Sequence, residues 1–326
     1  MKYFYGDNKK TSYFEGWYIK QQNEEETIAI IPSFHIDEYG AKSANLQIIT
    51  KEGAYSCTFS SSDFYASKKR FFVKLGKSIF TENGVRINLH TEKLTVTGRL
   101  FFTKKMPSKM KPDIVLGDFV KSKEPAFHPL RYSIMGYYDY VPFLPCKHEV
   151  VSMLHGVYGT IVINGKRIDF RDGLGYIEKD RGHSFPSSYL WTQCSFKKPS
   201  IGSIMASVAE LPFLSTTFVG CICAIWYQGK EYRLATYLGG KLVSYSKKGF
   251  SILQGKYLLE VSVIKQEPHS LKAPVKGSMR RRIKESVACK VRYRFYEDEK
   301  LLLEVVSKQA GYEHVIMKGY KHTADI

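Results

Sequence analysis

From Gly175 to Pro186 the chain reads Gly-Tyr-Ile-Glu-Lys-Asp-Arg-Gly-His-Ser-Phe-Pro, so Glu178, Lys179, Asp180, Arg181 and His183 fall within six residues. Two carboxyl groups, two cations and an imidazole at this density are the makings of a proton-transfer site. Glycine and proline interrupt regular pairing, and so many adjacent charges cannot all face water from one side of a sheet. The stretch is therefore expected to be a polar loop held near apolar walls. In such a setting a carboxyl group can be given a raised pKa and used as an acid. Trp191 and Gln193 follow closely.

Two other segments are as dense. Tyr13-Phe14-Glu15-Gly16-Trp17-Tyr18-Ile19-Lys20 lies near the start, and Met135-Gly136-Tyr137-Tyr138-Asp139-Tyr140-Val141-Pro142-Phe143 runs on to Cys146-Lys147-His148 and His155-Gly156. In this order and at these separations the three segments resemble the tocopherol cyclase family. Its members carry Glu-Gly-Trp-Tyr, then Met-Gly-aromatic-aromatic leading to Val-Pro-Phe and Cys-x-His, then Tyr-x-Glu-Lys-Asp/Asn-x-Gly-x-Ser-Phe-Pro before Trp-x-Gln.

The resemblance implies an all-β protein of two lipocalin-like barrel domains, with a ligand pocket at or near their interface. It also implies a chemistry. An alkene in a prenyl tail is protonated, and the tertiary carbocation is captured by a phenol oxygen to close a chroman ring. The reaction is redox-neutral and is expected to need no cofactor. It does need a dry acid, a proton acceptor and an aromatic lining that stabilises positive charge.

Glu178, at the centre of the densest motif, is the first choice for the acid, since related carotenoid hydratases carry an Asp at the matching place. The alternative is a structural ion pair of Glu178 with Lys179 or Arg181. Asp180 is either the competing acid or the residue that orients those two cations. His148, at the Cys-x-His position, is a proton acceptor or a hydrogen-bonded structural histidine. Trp17, Tyr18, Tyr137, Tyr138, Tyr176, Phe185 and Trp191 are expected to line the substrate site, with Arg181, His183 and Gln193 supplying polar contacts. The family more often has Trp where Arg181 stands, and a guanidinium there favours a more polar or acidic ligand group.

The elements that would position these residues are strands. Short alternating runs recur between turn residues, with type I′ signals at Asn83-Gly84 and Asn164-Gly165 and further turns at Gln228-Gly229 and Gly239-Gly240. Gly16-Trp17-Tyr18 and Tyr189-Leu190-Trp191 each open a set of strands, which hints at a duplication and places a boundary near residue 173. The expected domains are 1–172 and 173–326. The stretch 107–129, rich in Pro and Lys, is expected to be a long connection of the kind that acts as a lid.

Composition limits the function further. The chain has 326 residues, 14% of them aromatic, which suits half-buried strands and a greasy or cationic guest. Its six cysteines are scattered, and His148 and His155, seven apart, fall on opposite faces of a strand, so no metal site is expected. The apolar stretch 204–227 is broken by Glu210 and Pro212 and reads as two strands around a turn. With no secretory signal pattern at the start, a cytoplasmic location is expected, with a peripheral membrane association.

The formal net charge is +18, concentrated in Lys276, Arg280, Arg281, Arg282, Lys284, Lys290, Arg292 and Arg294. That segment could meet an anionic membrane or simply face solvent. Nucleic acid is not expected, because the helix-turn-helix, zinc-finger and RNP patterns are missing. Three readings remain: an enzyme of acid-promoted cyclisation or hydration acting on a hydrophobic substrate, a lipid or isoprenoid carrier, and a pericyclase-like isomerase.

Overall fold

The computed structural model describes residues 3–103, 133–142, 144–213 and 216–315. The stretch 107–129, read above as a lid, lies outside them. Among the described residues there is no α-helix, only strands and short 3-10 turns.

The first sheet contains β1 (Tyr13–Gln22), β2 (Thr27–Ile36), β3 (Lys42–Ile49), β4 (Ala54–Ser60), β5 (Phe64–Ala66), β6 (Phe72–Leu75), β7 (Ser78–Thr81), β8 (Gly84–His90), β9 (Thr95–Thr103), β10 (Cys146–Ile163), β11 (Lys166–Asp169) and β12 (Gly173–Gly182). The second contains β13 (Tyr189–Phe196), β14 (Gly202–Phe213), β15 (Thr216–Tyr227), β16 (Lys230–Ala235), β17 (Lys241–Ser246), β18 (Gly249–Gln254), β19 (Tyr257–Lys265), β20 (His269–Val275), β21 (Ser278–Glu297) and β22 (Lys300–Val315).

The two sheets share one winding. In the first, a meander ordered β4-β3-β2-β1 continues into β12 and β10; in the second, β16-β15-β14-β13 continues into β22 and β21. A late strand thus returns to pair with the opening strand of each sheet, which supports the duplication hinted at by the two Trp-bearing segments. The division expected between 172 and 173 falls between β11 and β12 of one sheet. The described residues of 1–119, 150–185 and 271–282 form one compact unit, and those of 120–149, 186–270 and 283–326 form the other. A strand that closes a sheet from far along the chain belongs to the unit it closes, whatever the motif spacing suggests.

Each sheet curls around its own core. The first packs Trp17, Ile19, Ile30, Leu46, Phe80, Ile161 and Ile177; the second packs Leu190, Cys194, Cys223, Ile252, Tyr293 and Phe295. The alternation seen in the sequence drives this arrangement, as β8 shows by burying Val85, Ile87 and Leu89 while exposing Arg86, Asn88 and His90. The stretch 204–227 forms the expected strand-turn-strand, within β14 and β15.

The turns agree in part. Asn164 and Gly165 both have positive φ, 48° and 84°, as a type I′ turn requires, and so do Gln228 and Gly229 at 51° and 74°. At the other predicted I′ site the pairing of Thr81 with Gly84 makes Glu82-Asn83 the two-residue connection. Gly84 is instead the first residue of β8, at φ 147°, where a Cβ would come within 2.1 Å of the Leu100 carbonyl oxygen. Gly239, at φ 90°, ends a 3-10 turn and does not join two strands directly.

The basic segment is strand β21, which pairs with β19 and β22, and the turn before it. Lys276 and Arg280 both pair with Glu38 in the first unit. Arg292 and Arg294 pair with Glu304 in the second, where Arg294 also approaches Glu260. None of the described helices is long and apolar enough to cross a membrane.

Candidate functional site

The segment Gly173–Gly182 is a strand, β12, and not the loop expected from its charges. It pairs antiparallel with β1, so Tyr18 faces Glu178, Trp17 faces Lys179 and Glu15 faces Arg181. Adjacent charges in a strand need not share one wet face. Instead they alternate between two faces, and each buried charge has a partner from a residue on its own face.

On the face turned from the core, the Tyr176 hydroxyl donates to Glu178 Oε2 at 2.5 Å. Glu178 is only 4% exposed, and Tyr18, directly across from it, is also buried. Burial, reinforced by the charge of Glu178, pushes the Tyr176 phenol well above its ordinary pKa. The phenol therefore stays protonated and acts as a donor to the carboxyl group. Asp180 lies on the same face, half-buried and opposite Gly16.

On the core face Lys179 turns away from Glu178 and meets Glu15, Nζ to Oε1 at 3.6 Å, with both side chains essentially inaccessible. Glu15 Oε2 accepts from the Tyr13 hydroxyl at 2.7 Å and the Tyr5 amide at 2.9 Å. Burial outweighs the attraction of Lys179 and these donors, so the Glu15 carboxyl sits above its ordinary range. Arg181 lies over the Tyr5 ring, 4.2 Å from its centroid, a cation–π contact. The ion pairs of Glu178 with Lys179 or Arg181 considered from the sequence are thus replaced: Lys179 serves Glu15, and Arg181 covers Tyr5.

Further along the same face Gly175 makes room for two polar side chains. A Cβ there would lie 2.1 Å from His155 Nε2 and 2.3 Å from Gln21 Oε1. Gly175→Ala is expected to cost about 1–3 kcal/mol, the usual penalty for overpacking a core, read as a lower midpoint in urea denaturation. His155 is fully buried, with Nδ1 2.9 Å from Ser152 Oγ, and burial lowers its pKa to about 3; His35 is likewise lowered, to about 4. An unfolded histidine titrates near 6.5, so this contribution is fully present above about pH 6.5 and is lost as pH falls toward the folded values. Stability should fall by up to about 1.4 kcal/mol per pH unit for each histidine in that window. Urea midpoints from pH 7 to pH 5 should show the slope, and His155→Gln should make it shallower.

The other residues singled out from the sequence lie as follows. Trp17 is in the first core, on the opposite face of β1 from Tyr18, and packs near Phe4, Phe64 and Phe71. His183 accepts from the Gly277 amide through its backbone carbonyl. Phe185 sets its ring 5.4 Å from that of Phe14. His148 is half-buried near the start of β10.

In the second unit Tyr137 and Tyr138 sit on the 3-10 turn Gly136–Tyr140, with ring centroids 4.7 Å apart. Tyr138 also stacks on Phe218 at 6.0 Å, and burial raises its phenol to about 12. Gly136 is required there: its φ is 55°, and a Cβ would lie 2.7 Å from the Tyr237 ring. Gln193 donates to Ser195 Oγ at 2.9 Å. Cys221 and Cys223 lie in the second core, where burial pushes both thiols up.

Sequence reasoning missed one carboxyl group. Glu313 of β22 stands directly across from Trp191 of β13, and the Tyr189 hydroxyl donates to its Oε2 at 2.5 Å. This repeats the first unit, where Tyr18 of β1 faces Glu178 of β12 and Tyr176 supplies the hydroxyl. In both units the three residues lie on the face turned from the core. The winding order would have found Glu313, because β22 occupies the place in the second sheet that β12 occupies in the first.

Two curled antiparallel sheets of matching winding, each with a buried Tyr–Glu hydrogen bond where its closing strand meets its opening strand, define a two-domain lipocalin-like β protein. Residues 122–315 match the tocopherol cyclase-like family, and the protein belongs to that family. It is 22% identical over 317 residues to a probable chloroplastic tocopherol cyclase of Oryza sativa subsp. japonica, a match covering 83% of this chain and 67% of the rice protein. Its fold is similar to that of kievitone hydratase from Nectria haematococca, with TM-score 0.51, 10% identity and coverage of 91% of this chain and 86% of the hydratase. It is also similar to CghA bound to Sch210972, with TM-score 0.56, 8% identity and coverage of 94% and 89%. At these identities the structural likeness concerns the fold.

Proposed function

We propose that the protein is an enzyme that takes up a hydrophobic, prenylated substrate and catalyses a redox-neutral, acid-promoted cyclisation or hydration of an alkene, with Glu178 as proton donor. The observation that carries this reading is the buried Tyr176–Glu178 hydrogen bond with Tyr18 directly across the strand. A carboxyl group out of water can hold a transferable proton, and an adjacent aromatic ring stabilises the cation that protonation creates. The family match supports the chemical class, as do the names of a cyclase relative and a hydratase of similar fold.

In this reading the proton passes from Glu178 to one alkene carbon, and the other carbon becomes the cation. A phenol or water oxygen then forms the new C–O bond and releases its proton to a base. For this last step His148 and Asp180 are the proposed residues. Tyr138 and Trp191 remain proposed ligand-binding residues. Arg181 does not, since its guanidinium covers Tyr5 on the core face.

The binding half of the proposal is tested with a prenyl quinol titrated against the protein and its Tyr18→Ala variant. Affinity should fall about tenfold while the fold survives, in line with the loss of one aromatic contact to an apolar or cationic group. Equal affinities would remove Tyr18 from the site. Small molecules extracted from the purified protein and identified by mass spectrometry should include an isoprenoid or a similarly apolar compound.

A further inference from the structure

A groove of about 610 Å³ lies on the outer face of the first sheet, lined by Lys74, Lys77, Arg86 and Arg99 and by no acidic residue. All four cations are exposed. Arg86 and Arg99 are direct cross-strand partners on β8 and β9. Like charges placed directly opposite one another are destabilising, and an anion lying over this pair would relieve their repulsion. Four cations of the basic segment differ, because Lys276, Arg280, Arg292 and Arg294 have carboxylate partners.

A second feature adjoins the groove. Two residues beyond Arg99 on the same face, Phe101 is exposed and stacks on the exposed Tyr158 of β10, centroids 5.1 Å apart at 18°. Cations beside exposed aromatic rings match the chemistry of an anionic bilayer, whose phosphates take the guanidinium groups while the rings enter the headgroup region.

We propose that this face, and not the basic strand β21, docks the protein on an anionic membrane. The inference stands apart from the chemistry proposed for Glu178.

The test is co-sedimentation with phosphatidylcholine vesicles with and without phosphatidylserine. Binding should require phosphatidylserine and weaken as salt rises. Arg86→Gln/Arg99→Gln should lower binding about twentyfold, since each basic side chain near such a surface is worth about a factor of five. Phe101→Ser should lower the binding that survives at high salt, whereas Lys276→Gln/Arg280→Gln should change little. Circular dichroism verifies that each variant is folded.

The proposal is overturned by equal binding to neutral and anionic vesicles or by unaltered binding of the Arg86/Arg99 variant. It is overturned equally if the Lys276/Arg280 variant alone loses binding. Binding of inositol hexakisphosphate without any binding to vesicles would assign the groove to a soluble polyanion and also overturn it.

Discussion

Glu178→Gln is expected to lower turnover of a prenyl quinol by about a hundredfold or more, the usual cost of losing a general acid, while ligand affinity changes little. Glutamine has the shape of glutamate and can still accept from Tyr176, whose hydroxyl lies 2.5 Å from Glu178 Oε2. Only the transferable proton is lost. A purely structural Glu178 predicts the opposite pattern: impaired stability with turnover kept in the surviving folded fraction. Of the cations near Glu178 in sequence, Lys179 pairs with Glu15 and Arg181 covers Tyr5, both on the other face of β12. If the variant turns over at the parental rate, Asp180, on the same face of β12, is the next acid to test.

The second large effect belongs to Lys179. Its ammonium and the Glu15 carboxylate are both inside the first unit, at 1% and 0% side-chain exposure. Lys179→Met removes the cation with the larger effect on Glu15 and leaves the buried carboxyl group with its two hydrogen-bond donors and the charge of Arg181. Breaking a buried pair from one side costs about 3–5 kcal/mol, because the remaining charge is uncompensated or must take up a proton. Glu15→Gln combined with Lys179→Met should be more stable than Lys179→Met alone, since a neutral amide needs no counter-charge. Urea denaturation of the four proteins in this cycle gives the coupling. Independent, additive losses would show that the two residues do not act as a pair.

Much of the architecture was legible in the chain. Alternation in segments such as Val85-Arg86-Ile87-Asn88-Leu89 predicted strands, and Asn164-Gly165 marked a hairpin whose two φ values are positive. These are local signals. What failed was the reading of Glu178 to Arg181 as a loop, because the partners that allow charges to enter a strand come from far along the chain. Glu15 and Tyr5 lie more than 160 residues before Lys179 and Arg181 in sequence, so no local window contains them. The domain boundary failed for the same reason, as β12 closes the sheet opened by β1. Within the site, the Tyr-x-Glu spacing of Tyr176 and Glu178 was visible, since residues two apart on a strand share a face. Glu313 was not, because its hydroxyl partner, Tyr189, is 124 residues away.

The most direct test of acid-promoted cyclisation is the fate of the proton itself. A prenyl quinol incubated with the protein in deuterium oxide should give an isomeric product that carries one deuterium bound to carbon, located by mass spectrometry and NMR at the former alkene, and Glu178→Gln should abolish that product. If the substrate is bound and recovered unchanged, or if a cyclised product forms without deuterium on carbon, the protein does not work by protonating an alkene.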